Sequence, residues 1–331
     1  MFSLTDYSVP SLFQKNVYAL EIFAEYSASS LPARAFLLSL PVLLVTTAVI
    51  LASQSALHSV AQVSGGARLW ASPPSWPPVF SGFQAAALAI LGFQIMVPFL
   101  GLVKAVGAWP NLVAALSAAR SEVAFTFWVA AVTALFCLPI SLVIDAELGR
   151  GGRPGWLAVT APLAVPAPLV GIGLIVLWNH PFFPGLYGSR WMPVLAGLAR
   201  FTPLAVILIY AQMRRIHPLL IDAARMLQPD SIRTWLLIRL PMLAPGLLAA
   251  AGLVFALTLG ELGATLIVAP PGQATLTLRI YNYLHYGASD TVAGLCLLMV
   301  AAALAAGCLA VAALSGWSRW TAMAYPVEGD E

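Results

Sequence analysis

Seven apolar stretches, each close to the length of a membrane-spanning helix, constrain this 331-residue chain more than any other feature. They fall at about 34–57, 80–103, 121–144, 156–178, 191–212, 243–268 and 290–314. A lipid core of roughly 30 Å takes about 20 apolar residues in a helix. Within lipid, only segments that satisfy their own backbone polar groups are stable. The expected fold class is therefore all-α: a polytopic membrane protein with about seven transmembrane helices. Composition agrees, because 60% of residues are hydrophobic and 9% are charged. Too little polar surface remains to cover a water-soluble domain of this size. Pro162, Pro166 and Pro168 crowd one stretch beside Gly171 and Gly173, so that helix is expected to bend or break.

The positive charges lie between these stretches and set an expected orientation. Arg214, Arg215, Arg225, Arg233 and Arg239 all fall between positions 213 and 241, in a chain with 16 Lys+Arg. Such clustering marks a cytoplasmic loop. Counting spans from it puts the region of Arg150 and Arg153, the stretch 58–79 and the acidic tail Glu328–Glu331 inside as well. The C-terminus is then cytoplasmic and the N-terminus outside. The net charge of +3 is small and carries no nucleic-acid signal. The loop is also patterned to fold. Ile221, Ala224 and Leu227 recur at helical spacing, Pro229 stops that helix, and Asp230 or Ser231 can cap a second. Trp235, Leu236 and Ile238 give the second helix an apolar face.

Within this loop Asp222-Ala223-Ala224 is followed, at fixed distance, by Ile238-Arg239-Leu240-Pro241. The pattern resembles the EAA loop of the permease subunits of binding-protein-dependent ABC importers, with Asp222 at the Glu position and Gln228 where that family has Gly. The resemblance runs from about Asn111 to Leu314. Leu259–Thr265 and Leu278–Tyr283 bring it nearest the ferric iron and thiamine branch. It implies the type I permease fold in the cell inner membrane, and transport of a small solute by alternating access. It also implies docking of a dimeric ATPase through Asp222, Ala223, Ala224, Gln228, Ile238, Leu240 and Pro241, and loading by an extracytoplasmic solute-binding protein. The chain itself would be no enzyme and hold no cofactor, since ATP hydrolysis lies on the partner and the sequence has no Gly-x4-Gly-Lys-Ser/Thr loop. An Arg-rich loop that only fixes topology against anionic lipid is the plainer reading of the same charges.

Domain organisation follows from an internal repeat. Phe2–Asp6 parallels Leu257–Glu261, Leu20-Glu21-Ile22-Phe23 parallels Leu278-Arg279-Ile280-Tyr281, and an apolar span follows each copy. Residues 1–57 are thus expected to be the remnant of a first permease half. Residues 58–79 form a cytoplasmic linker, 80–315 a complete permease domain with its EAA loop at 213–241, and 316–331 a cytoplasmic tail. A second permease half or chain is then an expected partner, besides membrane lipid. The span at 34–57 is expected to be the least firmly held.

Ionisable residues inside spans are costly and therefore informative. Glu261 and Arg200 lie at similar depths in two of the stretches, and Asp6 occupies the place of Glu261 in the first copy. A buried brace and a polar lining of the translocation path are both open. Glu122 and Arg120, at the start of a span, read as interfacial anchors. Cys137, Cys296 and Cys308 all fall in spans and read as small packing residues, and no metal-ligand spacing occurs. Two readings compete with the importer. One is an ion-coupled secondary transporter with Glu261 and Arg200 as a relay, and the other is a non-functional remnant of a split permease gene.

Overall fold

A computed structural model describes residue 10 and residues 15–61, 78–183, 185–216, 218–227, 231–286 and 289–324. Every regular element among them is helical. In chain order these are α1 (Tyr18–Ser29), α2 (Pro32–Ala61), α3 (Pro78–Val106), α4 (Trp109–Ala118), α5 (Arg120–Thr160), α6 (Ala167–Trp178) and α7 (Trp191–Met213). They continue with α8 (Pro218–Leu227), α9 (Ser231–Thr234), a π turn (Trp235–Arg239), α10 (Leu240–Leu259), α11 (Thr265–Val268), α12 (Leu276–Tyr286) and α13 (Ser289–Ala324). Six helices among the described residues are long and apolar enough to cross a membrane, and a seventh span is obtained by joining a bent pair.

The packed centre is α5, α7 and α10. Ala134 and Cys137 of α5 meet Phe201, Ala205 and Ile209 of α7 and Ala250 and Val254 of α10. Lipid is as apolar as these side chains, so close approach rather than water exclusion must hold them. Glycine supplies that approach. A Cβ on Gly197 of α7 would lie 2.8 Å from Thr133 Cγ2, and one on Gly246 of α10 would lie 2.6 Å from Gln212 Cβ. The expected broken helix is the bent pair. The helical segments 154–164 and 167–178 meet at 101°. The chain turns extended at Val165 (ψ 124°), before Pro166, a residue type that disfavours helical geometry in its predecessor.

Three expectations need correction. The region of Arg150 and Arg153 is not a loop, because α5 runs unbroken for 41 residues. Gly151, Gly152 and Pro154 weaken a helix, but packing on both sides overrides them: Leu148 and Trp156 bury together against Val206 and Tyr210 of α7. The stretch 243–268 is not one span either. Its helix stops at Leu259, capped by Gly260, and the chain re-enters the protein as a short segment ending in α11. Nor is the span near 34–57 the least covered. Helix α2 buries Ala35, Ser39, Thr46 and Ile50 along one face, whereas none of the residues from Phe80 to Ala105 in α3 is buried.

The N-terminal helices are attached at the broken span. Ile22 of α1, Ala35 of α2 and Ile172 of α6 form one buried cluster. Thr46 Oγ1 donates to Ala164 O at 2.8 Å, meeting a carbonyl at the break itself. The re-entrant segment closes on the same helix. At Gly171 of α6 a Cβ would lie 3.0 Å from Ile267 Cβ and 3.1 Å from Ala264 O, so only glycine admits the segment this near.

Candidate functional site

Two regions answer to the residues singled out in the sequence, and α7 joins them. The first surrounds Arg200. Its Nη1 donates to Glu261 Oε2, and the two side chains are 10% and 5% exposed. Glu261 lies just past α10 rather than inside it, and that position gives its carboxylate a second task. Glu261 Oε1 accepts from Ala264 N at 2.8 Å, capping the turn that leads into α11. Its carbonyl accepts from Thr265 Oγ1 at 2.8 Å and Thr277 Oγ1 at 3.0 Å. The arginine also lies against its neighbour, 5.4 Å from the Phe201 ring centroid. A buried ion pair is tolerated only where the remaining polar atoms are satisfied, and this one has several such bonds. Asp6 lies outside the described residues.

A second ion pair, which no sequence pattern announces, flanks the same segment. Arg279 of α12 donates from Nη1 to Glu122 Oε1 of α5 and from Nη2 to Tyr283 OH at 2.9 Å. Ser121 Oγ also donates to Glu122, at 2.8 Å. Leu276 N donates to Thr126 Oγ1 at 2.7 Å, one turn along α5. Glu122 is therefore a tie between α5 and α12, not a free interfacial anchor. Polar ties at both ends thus fix residues 260–279. Beside them Ser121, Glu122, Phe125, Trp128, Arg190 and Gln273 help to enclose a cavity of about 420 Å³. The Arg190 guanidinium lies 4.9 Å from the Trp128 ring centroid.

The second region is the Arg-rich loop. Residues 218–227 and 231–234 form two helices, on either side of positions 228–230. Asp222 and Ala223 are exposed on α8, and Ala224 follows them in the same helix. Gln228 lies outside the described residues. Ile238, Leu240 and Pro241 are half-buried where the loop runs into α10. The π turn there has a local cause. Pro241 has no N–H to give the helix ladder, and just before it Leu240 N donates to Trp235 O, five residues back. The Ile-x-Leu-Pro part of the motif thus forms the joint between loop and span. Apolar side chains remain uncovered on this region: Leu219, Leu220, Met226, Ile232, Leu236 and Leu237 are all exposed. Gln212, near the end of α7, binds the other side of the joint through Nε2 to Met242 O at 3.2 Å.

Comparison with known proteins points one way. Residues 157–319 match the family described as binding-protein-dependent transport system inner membrane component. The chain is 30% identical over 199 residues to the molybdenum transport system permease protein ModB of Haemophilus influenzae, covering 54% of this chain and 86% of that protein. It is 29% identical over 257 residues to ModB of Mycobacterium bovis, covering 70% and 91%. It is 26% identical over 180 residues to the putrescine transport system permease protein PotI of Escherichia coli, covering 52% and 63%.

Proposed function

Because the chain belongs to the family of binding-protein-dependent transport system inner membrane components, we propose that it is the permease of an ATP-driven importer and works by alternating access. ATP is hydrolysed on a separate dimeric ATPase, and an extracytoplasmic binding protein delivers the solute. The ATPase docks on residues 213–241, through Asp222, Ala223 and Ala224 on α8 and the joint at Ile238, Leu240 and Pro241. One observation carries this reading: a folded helix pair at the end of α7 keeps an apolar surface uncovered beside Asp222 and Ala223. The loop is inside, the C-terminus cytoplasmic and the N-terminus outside.

Arg200 and Glu261 serve the translocation path by holding the re-entrant segment against α7. The solute is small. We favour ferric iron or a thiamine-like cation, on the resemblance carried by Leu259–Thr265 and Leu278–Tyr283. Molybdate and putrescine, after the names of the relatives, are the competing solutes. Residues 1–57 are read as the end of a first permease half. The repeat in helix order supports this: α1 and α2, like α12 and α13, are a short helix and a long one separated by two residues. A second permease half or chain completes the transporter.

The experiment is uptake into vesicles holding this chain, its ATPase and its binding protein, with iron, thiamine, molybdate and putrescine supplied in turn. ATP-dependent uptake of one of them is expected. Uptake driven by an ion gradient without ATP would replace this reading with a secondary transporter.

A further inference from the structure

One face of α5 carries polar groups that the fold leaves unanswered. Thr133, Cys137, Ser141 and Asp145 recur every fourth residue and so share a face. Thr133 Oγ1, Ser141 Oγ and Asp145 Oδ1 are buried without a hydrogen-bond partner. The face meets α7. Thr133 lies against Gly197, and Cys137 Sγ is 3.3 Å from Thr202 Oγ1. The two hydroxyls are small and neutral, and close packing alone accounts for them. A carboxylate only 5% exposed is different, because an unpaired charge in such a place is costly.

Among the described residues, the positive charge near enough to act on Asp145 is that of Arg214. That arginine caps the end of α7, where the loop begins. It is held elsewhere: Nε and Nη2 both donate to Tyr210 OH, at 3.0 and 2.7 Å. Tyr210 is itself fixed, buried edge-on to Trp156 with ring centroids 4.8 Å apart, in the cluster that includes Leu148 and Ile144 of α5. Arg214 therefore rests, through Tyr210, on a cluster whose α5 members Ile144 and Leu148 lie one residue before and three after Asp145. An arginine with five donors binds a carboxylate more strongly than a phenol oxygen.

We propose that Asp145 is the second seat of Arg214, and that exchange of Arg214 from Tyr210 to Asp145 couples displacement of the 213–241 loop to α5. The proposal rests on the reading of that loop as the ATPase dock. Asp145 is then a positioning residue. It touches neither solute nor ATPase, and acts by fixing the end of α7 in one of two settings.

The test uses the chain co-purified with its ATPase, in a background without Cys137, Cys296 and Cys308. In the double variant Asp145→Cys/Arg214→Cys, cross-linking by a short bifunctional thiol reagent that spans the length of the lost side chains should be about fivefold or more faster in the nucleotide-trapped complex than in the nucleotide-free one. In the native-cysteine chain, Asp145→Asn should leave ATPase co-purification intact and lower ATP-driven uptake about tenfold, and Arg214→Gln should lower uptake to a similar extent. The reversed pair Asp145→Arg/Arg214→Asp should regain part of it. Equal cross-linking in both states, or full uptake by Asp145→Asn, overturns the proposal. Should the variants fail to accumulate, carbodiimide labelling of Asp145 in the unaltered complex decides, read by mass spectrometry. Labelling should fall on nucleotide trapping, and unchanged labelling overturns the exchange. Failure of the unaltered chain to hold an ATPase is a separate result, and it would remove the docking reading first.

Discussion

Arg200 and Glu261 are partners across a helix end. The arginine sits well inside α7, and the carboxylate comes from the chain just beyond α10, where it also caps the turn into α11. The pair thus pins an irregular segment to a regular helix. Removing either charge strands the other in a buried site, at a cost of about 3–5 kcal/mol. Arg200→Gln and Glu261→Gln should each lower the melting temperature in detergent. Arg200→Glu/Glu261→Arg should recover only part of the loss, since arginine cannot accept from Ala264 N. Unchanged melting of both single variants would show that the pair does not brace the fold.

The joint between α7 and α10 is intolerant of volume. A Cβ at Gly246 would meet Gln212 Cβ at 2.6 Å and Cγ at 2.8 Å. Gly246→Ala is expected to cost about 1–3 kcal/mol by overpacking. Gln212→Ala in the same chain should return part of it, at the expense of the bond to Met242 O. Thermal unfolding of the three variants checks this, and a neutral Gly246→Ala would contradict the packing argument.

The proposed dock on α8 includes a small, exposed residue, Ala223. Ala223→Arg should abolish co-purification with the ATPase while leaving membrane insertion and melting temperature as they were. A complex that survives Ala223→Arg would move the dock elsewhere.

Orientation is open to labelling. In a chain without its three cysteines, Ser27→Cys should react with an impermeant thiol reagent on intact cells. Ser231→Cys should react only after the membrane is opened. Reaction of Ser231→Cys from outside would invert the assigned topology.

Most of the spans, the broken helix and the loop motif are legible in the sequence because each is local. Length, proline density and fixed spacing suffice for them. In the sequence Glu261 falls inside a span because Gly260 in an apolar run does not by itself announce a helix stop; its role as a cap becomes visible only with Ala264 N beside the carboxylate. The pairing of Glu122 with Arg279 is not legible in the sequence, because 157 positions separate them and nothing in either neighbourhood names the other. The region of Arg150 and Arg153 looked like a loop on composition, and its helix is maintained by Trp156 and Leu148 packing on α7. The cover of α2 depends on where the broken helix places Ala164 O and Ile172, which no pattern within residues 32–61 encodes.

The contact at Gly171 has a mechanical corollary. With Ala264 O and Ile267 nearer than a methyl group at position 171 would readily admit, the re-entrant segment keeps its place only beside glycine. Close packing of this kind is lost within a small separation. Even a slight separation of α6 from that segment therefore forfeits part of the contact, so the two are expected to move together.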